Sequence, residues 1–425
     1  MSVGVEEPKS ELPDAATRRP QSVAVAARQL TVSLQPISEL QSDWTELLTQ
    51  ARACNVFNSW EFLATWWEHF RRDRESRIFV VYDQTRPIAI VPLCLQSRRG
   101  RFGRWRVLRN IGYGDVVNPD FLDALVVPGR EDEVADAVAP LLLADPAWQF
   151  IELGELDAQG SMQQLARRWE THHGLVRRID PKSTCPYVPL PASFDAFLAA
   201  RNSHFRQQLR RYRRVIEREL AVEWKRVGLD LSIEDGIAAL THLHQERMEA
   251  TERGGNFKKS DYQAFHRGLA ERLDRSGALF FWVLYSRGEP IATHYGFLHG
   301  TTYYGYQMGF TLRHHRYSPG HYMTGVVIEK LIGLGAREMN LLRGTDNWKF
   351  RWTETVRQTI NISLLRPTAA SRWAFNRAGL SLPPALALRF LIGRESFEEL
   401  RRAWTSWRAP SLEPAAEHKP ETRHE

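Results

Sequence analysis

Short apolar runs of strand type alternate with amphipathic helical runs along most of this chain, and the order in the first half recurs in the second. Such alternation builds a mixed sheet flanked by helices, because each half-apolar strand needs a helix to cover it. In the first half the pattern predicts strands at residues 29–34, 77–82, 86–95, 104–111, 121–126, 150–155 and 176–191. Helices are predicted there at 37–53, 60–71, 131–143 and 161–172. In the second half it predicts helices at 194–219, 233–251, 261–275, 321–334 and 346–354. Strands follow at 221–227, 278–286, 290–299, 302–308, 338–342 and 357–365. A shared order of elements reads as a duplicated α/β fold.

At 425 residues the chain is too long for one ordinary core, and two domains is the natural division, residues 28–191 and 192–367. Residues 1–27, rich in Pro, Ser, Glu and Ala, and residues 410–425 read as disordered tails. Residues 368–409 are rich in Arg, Leu and Trp, are helical in pattern, and are interrupted by Pro383-Pro384. They read as an extension docked on the protein, with an anionic membrane surface as the lesser alternative.

The net charge is +7. A basic surface of this size suits RNA, an anionic membrane or a phosphorylated small molecule. No nucleic-acid module signature occurs, so DNA is not an expected partner and tRNA is a weak one. Three widely spaced cysteines, Cys54, Cys94 and Cys185, make neither a disulfide framework nor a metal site. They fit a reduced cytoplasmic compartment, with peripheral contact at the inner membrane face as the alternative.

The richest stretch runs from residue 303 to residue 349. A strand leads into a turn-rich loop, then a helix, then a second strand that ends in Arg343-Gly344-Thr345-Asp346-Asn347-Trp348-Lys349. A small-residue loop opening a helix offers several backbone N–H groups where the helix dipole favours an anion. Arg316, Ser318, Pro319, Gly320, His321 and Tyr322 are therefore the candidate phosphate-binding residues. A structural turn needs the same Ser-Pro-Gly chemistry. The nucleotide-hydrolase run G-x-x-x-x-G-K-[ST] is missing.

Arg343, Gly344 and Trp348 follow a strand end, where side chains commonly face a ligand. Asp346 reads either as a general base or as the N-cap of a short helix. Lys349 reads either as a stabiliser of a developing oxyanion or phosphate, or as an exposed lysine. His294 is a second candidate base and Tyr306 a candidate acid, although a hydrogen-bonded core role is the commoner one for both types. Arg206 and Arg210, with His204, Arg211 and Arg214, crowd one helix. They suit a phosphate-bearing acceptor, since Arg grips phosphate bidentately. The plain alternative is a solvated helix paired with Glu217 and Glu219. Asp115, after Gly112-Tyr113-Gly114, is either an acceptor contact in a cleft or a turn residue.

Five groups of residues then carry a resemblance. They are Phe57-Asn58-Ser59-Trp60-Glu61-Phe62-Leu63 with Trp66-Trp67, Pro87-Ile88-Ala89-Ile90-Val91-Pro92-Leu93, and the run Asn202-Ser203-His204-Phe205-Arg206-Gln207-Gln208-Leu209-Arg210-Arg211-Tyr212. Ser318-Pro319-Gly320 is the fourth, and Leu342-Arg343-Gly344 with Asp346 and Trp348-Lys349 the fifth. Through them the chain resembles the CelD/BcsL-type family of the GNAT (Gcn5-related N-acetyltransferase) superfamily, associated with cellulose and exopolysaccharide biosynthesis. The resemblance implies two tandem GNAT-like domains, each a mixed, splayed sheet flanked by helices. It implies transfer of an acyl group from acetyl-CoA or another acyl-CoA to an amine or hydroxyl of a small-molecule or glycan acceptor, without a metal. Transfer from a charged tRNA, as in peptidoglycan-bridge enzymes, and a degenerate GNAT scaffold are the alternatives. The sequence departs from the superfamily's pyrophosphate loop, Q/R-x-x-G-x-G/A. Arg316-Tyr317-Ser318-Pro319-Gly320-His321 has one Gly and a Pro, which leaves fewer free backbone donors.

Overall fold

The computed structural model describes residues 21–25, 28–52, 55–100, 103–250, 255–392 and 396–400. Residues 1–20 of the expected N-terminal tail, and the whole of 410–425, lie outside the described residues. Residues 21–25 form an edge strand paired with the strand that follows.

The strands are β1 Gln21–Val25, β2 Arg28–Leu34, β3 Arg74–Asp83, β4 Arg86–Gly100, β5 Gly103–Asn110, β6 Leu125–Val126, β7 Phe150–Asp157 and β8 Val176–Pro189. The rest are β9 Val222–Arg226, β10 Leu279–Ser286, β11 Glu289–His299, β12 Thr302–Phe310, β13 Glu338–Asn340 and β14 Val356–Leu365. The helices of the first half are α1 Gln41–Gln50, α2 Trp60–Phe70, α3 Glu131–Ala144 and α4 Ser161–His173. Those that follow are α5 Phe194–Ala199, α6 Ser203–Glu219, α7 Ile233–Ala250, α8 Ser260–Arg275, α9 Pro319–Gly333, α10 Asn347–Phe350, α11 Ala369–Arg377 and α12 Pro384–Ile392.

The predicted helix at 194–219 is broken in two, because the Asn202 side chain accepts from the Phe205 amide at 2.8 Å and starts α6 afresh. The predicted strand at 121–126 shrinks to β6, since Phe121 takes a left-handed conformation, φ +58°. Trp44, Trp66, Trp148 and Trp169 are fully buried, and each indole N–H donates to a backbone carbonyl within 3.0 Å. That pairing lets so large a polar-tipped ring enter the core. No described helix is long and apolar enough to cross a membrane.

All strands join one sheet in the order β1-β2-β3-β4-β5-β7-β14-β8-β13-β12-β11-β10-β9, with β6 beside β4. Two features position the site. First, β14, the last strand of the second half, lies between β7 and β8 of the first. The final residues of β8 then pair with β13, so one strand links both halves. Second, among the described strands each half contains one parallel pair, β5 with β7 and β12 with β13. Each pair holds for only three residues, 107–109 with 150–152 and 302–304 with 338–340. Beyond those residues the strands part and leave a wedge.

Candidate active site between the two halves

The first wedge is closed. Asn110 bridges it, donating to the Gly154 carbonyl at 3.1 Å and accepting from the Gly154 amide at 3.0 Å. The Tyr113 ring lies so close to Gly154 that a Cβ there would come within 2.1 Å of it. Its hydroxyl accepts from Asn361 at 3.2 Å.

The second wedge is open. After Asn340 the chain turns from β12 toward β8, where the Leu341 amide donates to the Pro186 carbonyl at 2.9 Å. A cavity of about 440 Å³ fills the gap. Its second-half wall comes from Tyr306, Met308 and His294, from Tyr262 and Arg247, and from the 341–349 segment. Its first-half wall is Phe57 and the loop from Val116 to Asp120. That loop is held firmly. Asn55 and Asn58 both donate to the Phe121 carbonyl, at 3.0 and 2.9 Å, and Asn58 accepts from the Asp123 amide at 2.9 Å.

Arg343 joins the halves. Its Nε lies 2.8 Å from Asp120 Oδ1, and its amide donates to Asp120 Oδ2 at 2.8 Å. Its Nη1 donates to Glu155 Oε1 at 2.8 Å. Glu155 is fully buried and also accepts from Thr359 at 2.6 Å and Ser183 at 3.0 Å. Burial pushes the Asp120 carboxyl above the usual range, and Arg343 pulls it back. Burial likewise opposes the Arg343 charge, but Asp120 and Glu155 outweigh it and raise its pKa. Phe121, Glu155 and Leu342 all sit at positive φ, +58°, +52° and +57°. Each costs about 1–3 kcal/mol and persists only where its surroundings over-determine it.

Beyond Arg343, Gly344 has φ +112°, a conformation that favours glycine. A Cβ at Gly344 would come 3.2 Å from Asp346 Oδ2 and 3.4 Å from Lys349 Nζ, so carboxylate and amine flank the same point. Asp346 occupies the N-cap position of α10, yet its side chain makes no capping bond. Lys349 is buried, and its Nζ donates to the Leu342 carbonyl at 2.8 Å and the Arg343 carbonyl at 2.5 Å. Burial lowers its pKa to about 8, while Asp346 and Asp120 act to raise it. Trp348 lines the cavity beside it.

On the β11–β12 wall, His294 Nδ1 lies 2.7 Å from the Tyr303 hydroxyl. Burial holds the imidazole down to about 4, so it is neutral at ordinary pH. The Tyr306 and Tyr262 hydroxyls are hydrogen-bonded to each other, and burial raises both. The structure thus brings Asp346, His294, Tyr306, Lys349, Arg343 and Trp348 to one cavity, with Gly344 beside it. Tyr262, Arg247, Asp120 and Glu155 were not singled out from sequence. Asp120 lies 223 residues from its partner, and nothing local in its Asn118-Pro119-Asp120 turn marks it.

The other predicted residues lie elsewhere. At the start of α9, Pro319 has no N–H, and the His321 and Tyr322 amides already donate to the Ser318 carbonyl, each at 3.1 Å. Of these first residues only Gly320 keeps an amide to offer, and it is buried, with Phe310 3.1 Å from where its Cβ would stand. The several free donors expected there are reduced to one by the proline and the left-handed Ser318 turn, φ +55°. Arg316 lies over the Tyr317 ring, 4.6 Å from its centroid. His321 stacks on Tyr212, and Tyr322 donates to Glu217 at 3.2 Å. Arg206 donates to the Arg201 carbonyl at 2.5 Å, while Arg210 lines a separate groove. Asp115 pairs with Arg74 at 3.0 Å and accepts from the Val116 amide at 2.8 Å, as a turn residue does.

Residues 203–350 match the family described as Acetyltransferase (GNAT) domain. The match lies wholly within the second half. Every residue of the second-half cavity wall falls within that match. Among solved structures the chain is similar to FemX, with 9% identity, a TM-score of 0.58, and coverage of 81% of this chain and 98% of FemX. That likeness shows the fold over both halves. Weaker likenesses are to a C-terminal domain (DUF2156) of a putative lysylphosphatidylglycerol synthetase from Agrobacterium fabrum and to a tandem GNAT protein from the clavulanic acid biosynthesis pathway. The first has 12% identity, a TM-score of 0.49 and coverage of 81% and 97%. The second has 12% identity, a TM-score of 0.40 and coverage of 80% and 99%. No curated protein matches the chain.

Proposed function

We propose that the chain is an acyltransferase that moves an acyl group, acetyl in the first instance, from an acyl-CoA to an amine or hydroxyl of a sugar, polysaccharide or cell-envelope precursor. One observation carries this reading: the open wedge between β12 and β13 gathers a carboxylate, an amine and a tyrosine pair in one cavity inside the GNAT match. The acceptor enters between the halves, against Arg343, Gly344 and Trp348. Its nucleophile attacks the thioester carbonyl and gives its proton to Asp346, or to His294. The Lys349 ammonium steadies the oxyanion. The C–S bond breaks, and the departing thiolate takes its proton from Tyr306, which Tyr262 orients. The α9 start offers the donor's diphosphate one amide, that of Gly320, in a first turn that holds no acidic residue. The first half has no such end, since α3 opens with Glu131, Asp132 and Glu133.

A second reading rests on the α9 start, where one buried amide remains to a ligand. An aminoacyl ester on a charged tRNA is an activated donor that needs no diphosphate cradle there. Thermal unfolding of the full chain with acetyl-CoA, free CoA or aminoacyl-tRNA separates the two. A donor at a hundredfold excess over its Kd adds about 2.7 kcal/mol of stability and raises Tm by several degrees. A rise with acetyl-CoA and transfer of its label to a glycan acceptor support the first reading. A rise with charged tRNA alone installs the second, and no rise with either removes donor binding from this site.

A further inference from the structure

A second groove, about 280 Å³, lies between α5, α6 and α9 and shares no residue with the cavity above. Its apolar lining is Phe194, Leu198, Leu209 and Val326, and Asp195, Tyr322 and Glu329 line it as well. Arg210 and Arg213 stand at its rim. Arg213 is committed to Glu217 at 3.1 Å and Glu329 at 2.8 Å. Arg210 is different. With Arg211 and Arg214 it is exposed, and none of the three has an ion pair or hydrogen bond to another of the described residues. At about 100° per residue, positions 210, 211 and 214 share one outward face of α6. Arg210 and Arg214 stand four residues apart, where like charges destabilise a helix. Among the described residues these three guanidinium groups therefore have no bound counter-charge, Asp195 being the nearby carboxylate that shares the groove with Arg210.

We propose that this face of α6 docks the protein on an anionic phospholipid bilayer. This face calls for two things at once: oxygen anions for three guanidinium groups and an apolar segment for the groove beside them. A phospholipid supplies both, as a phosphate headgroup and an acyl chain. A nucleic-acid backbone supplies the anions but has nothing for the apolar lining, and free phosphate likewise leaves it bare. No membrane-crossing helix is needed for such contact. The proposal stands independently of the acyl-transfer reading.

The test is co-sedimentation of the full chain with vesicles of phosphatidylcholine alone and of an equal mixture of phosphatidylcholine and phosphatidylglycerol. The protein is expected on the mixed vesicles, not on the neutral ones, and raised salt releases it. Each arginine near an anionic surface strengthens binding about fivefold, so R210Q/R211Q/R214Q loses affinity on the order of a hundredfold. Leu198→Asn keeps every arginine and still weakens vesicle binding, because it wets the groove. Circular dichroism and Tm of both variants establish that they fold. Equal binding to neutral and anionic vesicles overturns the proposal, and so does a folded triple variant that binds as tightly as the parent. Tighter binding to tRNA than to mixed vesicles at the same salt, unaffected by Leu198→Asn, assigns the face to nucleic acid instead. Release by millimolar inorganic phosphate assigns it to a soluble anion.

Discussion

Where β5 parts from β7, the gap is bridged by Asn110 and stopped by the Tyr113 ring. Where β12 parts from β13, it stays open and collects Asp346, Lys349, Tyr306 and His294. The helices that follow differ in the same sense. Three acidic residues begin α3 and none begins α9. A duplicated scaffold has thus kept its strand order twice and left room for chemistry once. The closed copy is still part of the site. It supplies a wall, and through Asp120 and Glu155 it holds the segment on which the reactive groups of the open copy are mounted.

The largest expected effect falls on that junction. Arg343→Met leaves two buried carboxylates unpaired, and breaking such a pair costs about 3–5 kcal/mol. Denaturant unfolding reads it directly. A loss under 1 kcal/mol would mean that the halves do not depend on this contact. Next is the stopper itself. Tyr113→Ala empties the first wedge and is expected to cost about 3 kcal/mol, with donor affinity and turnover unchanged. Should turnover collapse in a folded Tyr113→Ala protein, the two wedges are not as different as their contents suggest.

In the open wedge, Lys349→Met is expected to lower kcat about a hundredfold while donor affinity holds, because the lost cation acts on the transition state. The smallest effect is on pH. Burial lowers the Lys349 amine to about 8, so its charge is lost as pH rises through that value, and the rate falls with it. The descending limb disappears in Lys349→Met. Stability moves oppositely. Between about 8 and the ordinary 10.5, the unfolded chain binds the extra proton, so this lysine makes the fold more stable as pH rises across that window.

Periodicity and turn chemistry made most strands and helices legible, since they are local properties. The 343–349 segment stood out for a related reason: Arg, Gly, Asp and Lys packed after an apolar strand have few purely structural uses. What escaped was non-local. Asp120 meets Arg343 only because β14 and β8 bring distant segments together, and no pattern within the first half marks it. Tyr262 reads as one more aromatic on an amphipathic helix until the fold sets its hydroxyl against Tyr306. At α9 the motif marks a helix start, but the number of free donors there is set by the bonds that the Ser318 carbonyl accepts.

The placement of β14 has a consequence for how this protein is made. A ribosome has to deliver residue 365 before the gap between β7 and β8 can be filled. Until then a nascent chain carries two raw strand edges in its middle, which are templates for pairing with a neighbour. Cutting the gene at the boundary between the halves would leave that exposure permanent, so the first half expressed alone should aggregate, and supplying residues 356–365 as a separate peptide should rescue it.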